Sequence, residues 1–251
     1  MAAKSLPLPH AVTAVESTQR TFGDIGPVLV HDVKGPLSAV SLNLDFVLEQ
    51  LPPDASFDPV RGALSECRHA SDRIFRAIAN LLDVARFEEG RLMPRVSAVV
   101  LSELFLRVAA SYEAELTQRH IDLRIDATGD LPSVDADVDL LSRILHSLVD
   151  NALRNAKDQG SLVLSAHVAN DAIEIAIKND GPPIPPSARN RLFARAVGTE
   201  TEGAGLNRGL GLYFCRLALG ELGASIALSD DEPGFPATFV IQYPIPARSV
   251  R

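Results

Sequence analysis

A histidine followed directly by an aspartate lies in the segment VHDVKGPLSAV, residues 30–40. The imidazole of His31 can act as a nucleophile or a base, and the short carboxylate of Asp32 can fix its tautomer and accept a proton. Pro36 lacks the N–H that would bond to the Asp32 carbonyl, so a kink is predicted beside the histidine. The alternative is an exposed helical histidine without a chemical role, which is the commoner case for such a residue taken alone.

Three later segments carry groups that bind metal or phosphate. In LVDNALRNA, residues 148–156, Asn151 can offer an amide oxygen to Mg²⁺ and Arg154 can reach a phosphate. The segment IKNDGPPIP (177–185) follows a strand pattern, and the glycine-rich GAGLNRGLGLYFCRLALGELGA (203–224) can direct backbone N–H groups at phosphate oxygens. The alternatives are a buried core asparagine, an ordinary Asn-Asp-Gly-Pro turn and a flexible linker.

The histidine lies on the first of two apolar seams, whose members recur at alternating steps of three and four residues. A proline-containing break, LPPDASFD (51–58), separates the two seams, so two long antiparallel helices are predicted. One hairpin leaves its seam open on one side, and pairing two hairpins in a four-helix bundle predicts a homodimer. The seams are Val30, Val33, Leu37, Val40, Leu44, Val47 and Leu51, then Val60, Leu64, Cys67, Ser71, Ile74, Ile78, Leu81 and Ala85.

Past Pro94 the pattern changes to helices mixed with alternating strands, which predicts an α+β sandwich with antiparallel strands. The predicted division is an N-terminal segment at 1–20, a helical domain at 21–95 and a second domain at 96–251. The predicted elements of the second domain are helices at 101–119, 137–157 and 209–222 and strands at 121–127, 161–169, 172–180, 225–230 and 237–244.

Composition narrows the class of protein. The chain of 251 residues is 46% hydrophobic with a formal charge of −8, which argues against duplex nucleic acid as its main partner. No apolar run approaches the ~18 residues of a membrane span. Cys67 and Cys215 fall in apolar periodic segments and are predicted to be buried, reduced thiols, so a cytoplasmic location is expected.

The order of these motifs carries more information than any one of them. H-D-x-K-x-P-L, L-x-x-N-A, N-D-G-x-x-I-P and G-L-G-L follow one another as in the core of a two-component sensor histidine kinase, which the chain resembles over roughly residues 22–246. LFARA (192–196) and GFPATFVIQYP (234–244) resemble further pieces of that family. The resemblance implies a dimeric four-helix bundle of helical hairpins followed by an α/β sandwich of the GHKL ATPase type.

The resemblance also implies a role for each matching residue. His31 is the expected phosphoacceptor and Asp32 its orienting base, while Asn151 is the expected Mg²⁺ ligand. Asn179 stands where the family most often has the aspartate that accepts the adenine amino group. The residues expected to bind ATP are Asn151, Arg154, Asn179, Gly181, Phe193, Gly209, Leu210, Gly211 and Thr238.

Several positions depart from the family pattern. Asn179 lacks the charge of an aspartate, so modest ATP affinity is expected. Pro183, Ala196 and Asn207 replace a usual glycine, a second aromatic residue and a first loop glycine. Gly35 stands where the family commonly has a threonine or asparagine that positions a water, so weak or absent phosphatase activity toward the partner is predicted.

The implied function is ATP-dependent autophosphorylation on His31 and transfer of the phosphoryl group to an aspartate of a response regulator receiver domain. A homodimer and a separate sensory protein are the other candidate partners. One alternative is a histidine phosphotransfer adaptor with a degenerate nucleotide domain. Another is an ATPase of the same fold, which would need a carboxylate one turn before Asn151, where Ser147 stands.

Overall fold

A helical hairpin forms the first part of the described chain. The computed structural model describes residues 32–127, 131–195, 210–229 and 233–245. Helix α1 occupies residues 32–50 and runs through Gly35 and Pro36 without interruption. A 3-10 turn at Ala55–Phe57 leads into helix α2, Asp58–Glu88. His31 lies outside the described residues.

Contacts along the hairpin hold the two helices antiparallel. The Ser41 and Ser71 hydroxyls are 3.2 Å apart, and the Lys34 ammonium lies 5.9 Å from the centre of the Phe75 ring. At the closed end, the Arg61 guanidinium donates to backbone carbonyls at the C-terminus of α1, including that of Pro52 at 3.0 Å. Asp54 accepts from the Ser56 N–H at 2.7 Å and so caps the turn. The predicted hairpin is therefore present.

The seam residues divide into two groups within one chain. Members such as Leu37, Leu44 and Leu64 are partly covered between the two helices. The other group remains exposed, and this includes Cys67, so the prediction of a buried thiol at that position is wrong for the single chain. Cys215 is buried as predicted. The exposed apolar members of the two seams are Val40, Val47, Val60, Ile74 and Leu81.

The second part is an α/β sandwich built on a five-stranded sheet of order β2-β4-β5-β7-β6. Strands β2 and β4 are parallel and the other neighbours are antiparallel, so the prediction of a purely antiparallel sheet is wrong at this edge. A small antiparallel pair, β1 and β3, stands apart. The strands are β1 (Ser97–Val99), β2 (Asp122–Asp126), β3 (Val134–Ala136), β4 (Ser161–Ala169), β5 (Ala172–Asn179), β6 (Ser225–Ser229) and β7 (Ala237–Pro244).

Within the described residues, five helices accompany the sheet, and the longest of them packs on one face of it. They are α3 (Leu101–Ala110), α4 (Glu113–Gln118), α5 (Val138–Asn155), α6 (Pro186–Arg189) and α7 (Leu210–Glu221). Asp137 begins α5 by accepting from the N–H groups of Asp139 and Leu140. Alternate residues of β5 and β7, paired as Ile175 with Ile241, form the apolar core under this helix.

The C-terminal turns of α2 pack against α5 and α7, so the hairpin is joined to the sandwich through shared core. Phe87 of α2 lies 6.3 Å from the ring of Phe214. Polar contacts flank this apolar contact, and the pairs are Arg76 with Asp150 at 3.4 Å, Asn80 with Ser147 at 3.2 Å, Asp83 with Arg143, and Glu88 with Tyr213 at 2.8 Å. The domain division near residue 95 stays a prediction, because α2 contributes directly to the core of the second part. Within the described residues, no helix has the length and apolar character needed to cross a membrane.

Candidate functional site

The ends of α5 and β5 meet at one place in the sandwich. Asn151 and Asn155 lie one turn apart on α5, and Asn179 and Gly181 lie at and just after the end of β5. Gly181 is buried, and a methyl group added to it would overlap the Asn155 carbonyl oxygen. The sequence motifs around 148–156 and 177–185 are therefore brought together, and glycine is required at their contact.

Asn151 offers the group that could hold a metal. It is half-buried, and the Asn155 side-chain amide donates to its backbone carbonyl at 2.7 Å and stands 3.5 Å from its Oδ1. Among the described residues, no group of three or more histidine, cysteine or acidic side chains could enclose a metal ion. A single amide oxygen nevertheless fits Mg²⁺, which keeps several waters and completes its shell with substrate phosphates. Asn155 was not singled out from the sequence, although its spacing of four residues from Asn151 marks it.

Asn179 occupies an enclosed position at the end of β5. Its side chain is 1% exposed, and neither its Oδ1 nor its Nδ2 has a hydrogen-bond partner within the described part of the chain. The following carboxylate, Asp180, faces another way, toward the Lys157 N–H at 3.4 Å. Leaving a buried donor or acceptor unpaired costs about 1–3 kcal/mol. This arrangement therefore indicates a group that is poised to bind a ligand.

The register of β5 and β7 places Thr238 away from Asn179. Ala237 is the residue directly opposite Asn179, and Thr238 is opposite Lys178. Because successive side chains of a strand point to opposite faces of the sheet, Thr238 faces away from the Asn179 side. Its hydroxyl donates to the Phe235 carbonyl at 3.2 Å. Ala237, and not Thr238, is therefore the residue of β7 on the Asn179 side, and the place of Thr238 in the ATP site stays a prediction.

The aromatic and glycine-loop residues lie around the same region. Phe193 packs edge-on against Phe239, with ring centres 6.1 Å apart. Leu210 begins α7, and Gly211 leaves only 3.8 Å between an added methyl group and the Ser147 side chain, one turn before Asn151 on α5. The loop positions Gly209 and Asn207 lie outside the described residues, as does Ala196, which replaces the second aromatic residue.

Arg154 lies beside the hairpin, and its expected contact with a phosphate stays a prediction. It lines a cleft of about 290 Å³ between α2, α4 and α5, together with Arg73, Glu115, Arg119 and Asp150. None of the residues at the end of β5 lines this cleft. The structure therefore brings Arg154 to the boundary with the hairpin and does not group it with Asn179.

The C-terminus of α5 is held in place by an arginine that the sequence did not mark. Arg119 donates to the Leu153 carbonyl at 2.6 Å, to the Ala156 carbonyl at 2.8 Å and to the Asp158 carboxylate at 2.8 Å. These carbonyls have no partner within the helix, and a cation also stabilises the negative end of its dipole. Arg119 thus positions the turn that carries Asn151.

A buried polar network lies beside Asn151. The Tyr112 hydroxyl donates to the Asp150 carboxylate at 2.9 Å and stands 3.0 Å from Nδ1 of His146. Burial, and then the charge of Arg76, lowers the pKa of His146 to about 4, so its imidazole is neutral at pH 7. A neutral imidazole can donate Nδ1–H to the hydroxyl oxygen, which completes the network. The network ties α5 to both the α3–α4 connection and α2.

Replacing Gly181 with alanine is expected to weaken ATP binding at least tenfold, because the added methyl group forces the end of β5 and the end of α5 apart. The measurement is a binding titration with ATP on the full chain. Gly220→Ala is the matched control, since nothing lies within 4 Å of a methyl group there. Unchanged ATP affinity in Gly181→Ala would show that the contact does not shape the site.

The part of the chain that carries this site matches a known protein family. Residues 136–247 match the family described as histidine kinase-, DNA gyrase B-, and HSP90-like ATPase. The adaptive-response sensory kinase SasA of Crocosphaera subtropica is 25% identical over 193 residues, which are 75% of this chain and 50% of that protein. The alginate biosynthesis sensor protein KinB of Pseudomonas aeruginosa is 25% identical over 249 residues, 94% of this chain and 40% of that protein. The chain spans about half the length, or less, of these curated relatives.

Solved structures share the fold. Full-length ShkA in complex with AMPPNP superimposes with a TM-score of 0.62 at 23% identity, covering 88% of this chain and 45% of that one. The Acinetobacter baumannii histidine kinase AdeS gives a TM-score of 0.58 at 19% identity over 86% of this chain and 98% of that one. At these identities the likeness concerns the fold alone. It confirms the predicted combination of a helical part and an α/β sandwich.

Proposed function

Because residues 136–247 form a domain of the histidine kinase-, DNA gyrase B- and HSP90-like ATPase family, in a chain related to sensor histidine kinases, we propose that the protein phosphorylates itself on His31 with Mg-ATP. The phosphoryl group then passes to an aspartate of a response regulator receiver domain. The observation that carries this proposal is the family match, which includes Asn151, Asn179 and Gly181.

Each residue of the site has a proposed task. Asn151 would hold Mg²⁺ through its amide oxygen, and the bound ion would neutralise charge on the phosphates. Asn179 binds the base. Gly181 leaves room for close approach of α5 and β5, and Phe193 packs at the rim against the core. Leu210 and Gly211 start the helix whose N-terminus can bind phosphate, with Gly209 just before it. Transfer then depends on positioning and charge stabilisation more than on covalent help from the protein.

The proposed acceptor is His31, directly before the described part of α1 in the sequence. Its neutral imidazole attacks the γ-phosphorus, so that an N–P bond forms while the bond to the β-phosphate oxygen breaks and ADP leaves. Asp32, exposed at the start of the described part of α1, orients the imidazole and can accept its proton. Gly35 is also exposed and has open space around it, so no side chain there positions a water. Weak phosphatase activity toward the regulator therefore remains the prediction.

The test of the proposed function is incubation of the full chain with γ-labelled ATP and Mg²⁺. We expect label on the wild type that is lost in acid and stable in alkali, as a phosphohistidine requires, and none on His31→Ala. Label that persists in His31→Ala would exclude His31 as the acceptor. An adaptor with a degenerate nucleotide domain would carry no label in either protein and would bind no ATP.

Hydrolysis as the main activity finds little support in the structure. The position one turn before Asn151 holds Ser147, whose hydroxyl accepts from the Asn80 amide at 3.2 Å. An ATPase would need a carboxylate there to activate water. The kinase is therefore the better candidate of the two.

We further propose a homodimer through the exposed seam. Ile74 is 49% exposed in the single chain, beside other apolar seam residues such as Val40 and Val47. We expect the wild type to sediment as twice its 26.9 kDa mass at micromolar concentration and Ile74→Lys to shift toward monomer. Leu106→Lys, at an exposed position of α3, is the control and should remain dimeric. A wild-type monomer would contradict the proposal.

The remaining expected partners and the cellular location rest on the same relationship. A receiver domain is the proposed acceptor, and a separate sensory protein is a candidate source of the signal. A cytoplasmic location also stays a prediction.

A further inference from the structure

Asn179, the proposed base-binding residue, carries an amide oxygen and an amide nitrogen that could both bind a ligand. Asn179 is 1% exposed, and its Oδ1 and Nδ2 have no hydrogen-bond partner among the described residues. Buried side-chain polar atoms are nearly always paired, so two unpaired atoms on one side chain call for an explanation. A ligand that supplies one donor and one acceptor would satisfy both atoms.

The surroundings do not fix which way the amide points. Leu162 and Ala237 are the residues directly opposite Asn179 on the two neighbouring strands, and both are apolar. Thr238 faces the other side of the sheet, as its register shows, so no hydroxyl of β7 reaches the amide. Gly181 has no side chain, and a methyl group there would stand 2.6 Å from Nδ2. Rotation by about 180° about the Cβ–Cγ bond therefore exchanges Oδ1 and Nδ2 without breaking a protein hydrogen bond.

Such an amide can pair with either kind of purine at the 6-position. A 6-aminopurine offers an N–H donor at its 6-substituent and an acceptor at N1, which match Oδ1 and Nδ2 respectively. A 6-oxopurine offers an acceptor at O6 and a donor at N1–H, which match the same two atoms after the rotation. An aspartate at this position could only accept, so one of its oxygens would face N1 of a 6-aminopurine or O6 of a 6-oxopurine without a proton between them.

We propose that Asn179 makes the pocket accept 6-oxopurine nucleoside triphosphates as well as ATP. The proposal rests on the proposed nucleotide-binding function of the site and specifies its substrate class. Asn179 is then a specificity-determining residue, and the apolar Ala237 opposite it allows the amide to adopt either orientation.

The test is equilibrium binding of ATP and of inosine triphosphate to the full chain with Mg²⁺. These two nucleotides differ only in the 6-substituent and the protonation of N1. We expect the two dissociation constants to lie within about tenfold in the wild type, because both form two hydrogen bonds with the amide. In Asn179→Ala, we expect both dissociation constants to rise by at least about tenfold, since each nucleotide loses its two hydrogen bonds with the amide.

Asp180→Ala is the matched control, because it makes the same truncation one residue further on. Asp180 faces Lys157 and Gly160, so its replacement should leave both affinities unchanged. A wild type that prefers ATP by more than 100-fold would overturn the proposal, as would an affinity for inosine triphosphate that Asn179→Ala does not change.

Binding separates this proposal from the kinase function. Labelling of His31 by ATP without binding of inosine triphosphate overturns the base specificity alone. Binding of both nucleotides without labelling of His31 overturns the kinase and upholds the base specificity. A chain that binds neither nucleotide overturns both.

Discussion

Asn151→Ala is expected to lower autophosphorylation by about 100-fold or more, the order lost when a group that stabilises transition-state charge is removed. The side chain is half-buried, and the Asn155 amide stands 3.5 Å from its Oδ1, at the long limit for a hydrogen bond. Its removal should therefore change the free energy of unfolding by no more than about 0.5 kcal/mol. We therefore expect a large loss of activity with little loss of stability, because Asn151 is proposed to bind the metal and contributes little to the packing.

Binding in the presence and absence of magnesium gives the decisive measurement. In EDTA, we expect Asn151→Ala and wild type to bind ATP equally, and addition of Mg²⁺ should tighten binding in the wild type only. Asn43→Ala, an exposed position on α1, makes the same change of side chain and should leave both quantities unchanged. If Asn151→Ala instead loses stability and activity in proportion, its role is structural.

Loss of the Asp83 carboxylate, which pairs with Arg143 and also with Arg86 at 3.3 Å, is expected to destabilise the protein by about 3 kcal/mol, near the lower end for a buried ion pair that loses one partner. Asp83 is 7% exposed and lies on α2, whereas Arg143 lies on α5 and stacks over the Phe214 ring at 5.1 Å. Removing the carboxylate leaves a partly buried guanidinium without its main acceptor. The effect should reach global stability because Val84 and Phe87 of the same helix belong to the core of the sandwich.

A charge exchange makes this prediction specific. Asp83→Arg and Arg143→Asp should each lower the midpoint of urea unfolding, and the double variant should recover most of the loss. Asp45→Ala is the matched control, because Asp45 pairs with Arg68 at 3.5 Å on the exposed surface, where a pair contributes about 1 kcal/mol or less. If the double variant is no more stable than the less stable single variant, the Asp83–Arg143 pair does not hold the hairpin and the sandwich together.

The local elements of the protein were predictable because each depends on the pattern of its own residues. Alternating apolar residues predicted the strands, and the bounds of β4 and β7 agree with that alternation over Ser161–Ala169 and Ala237–Pro244. The spacing of three and four predicted the two hairpin helices. Short motifs, such as those at 148–156 and 177–185, likewise identified groups that lie close together in the structure.

The sequence could not determine which residues of distant elements contact one another. Strand register decided that Ala237, and not Thr238, stands opposite Asn179, and a shift of one residue reverses every side chain. The parallel pairing of β2 with β4 and the contact of Asp83 with Arg143, 60 residues apart, depend on tertiary packing in the same way. Periodicity shows which face of an element is buried, but only the assembled structure decides what is buried against it.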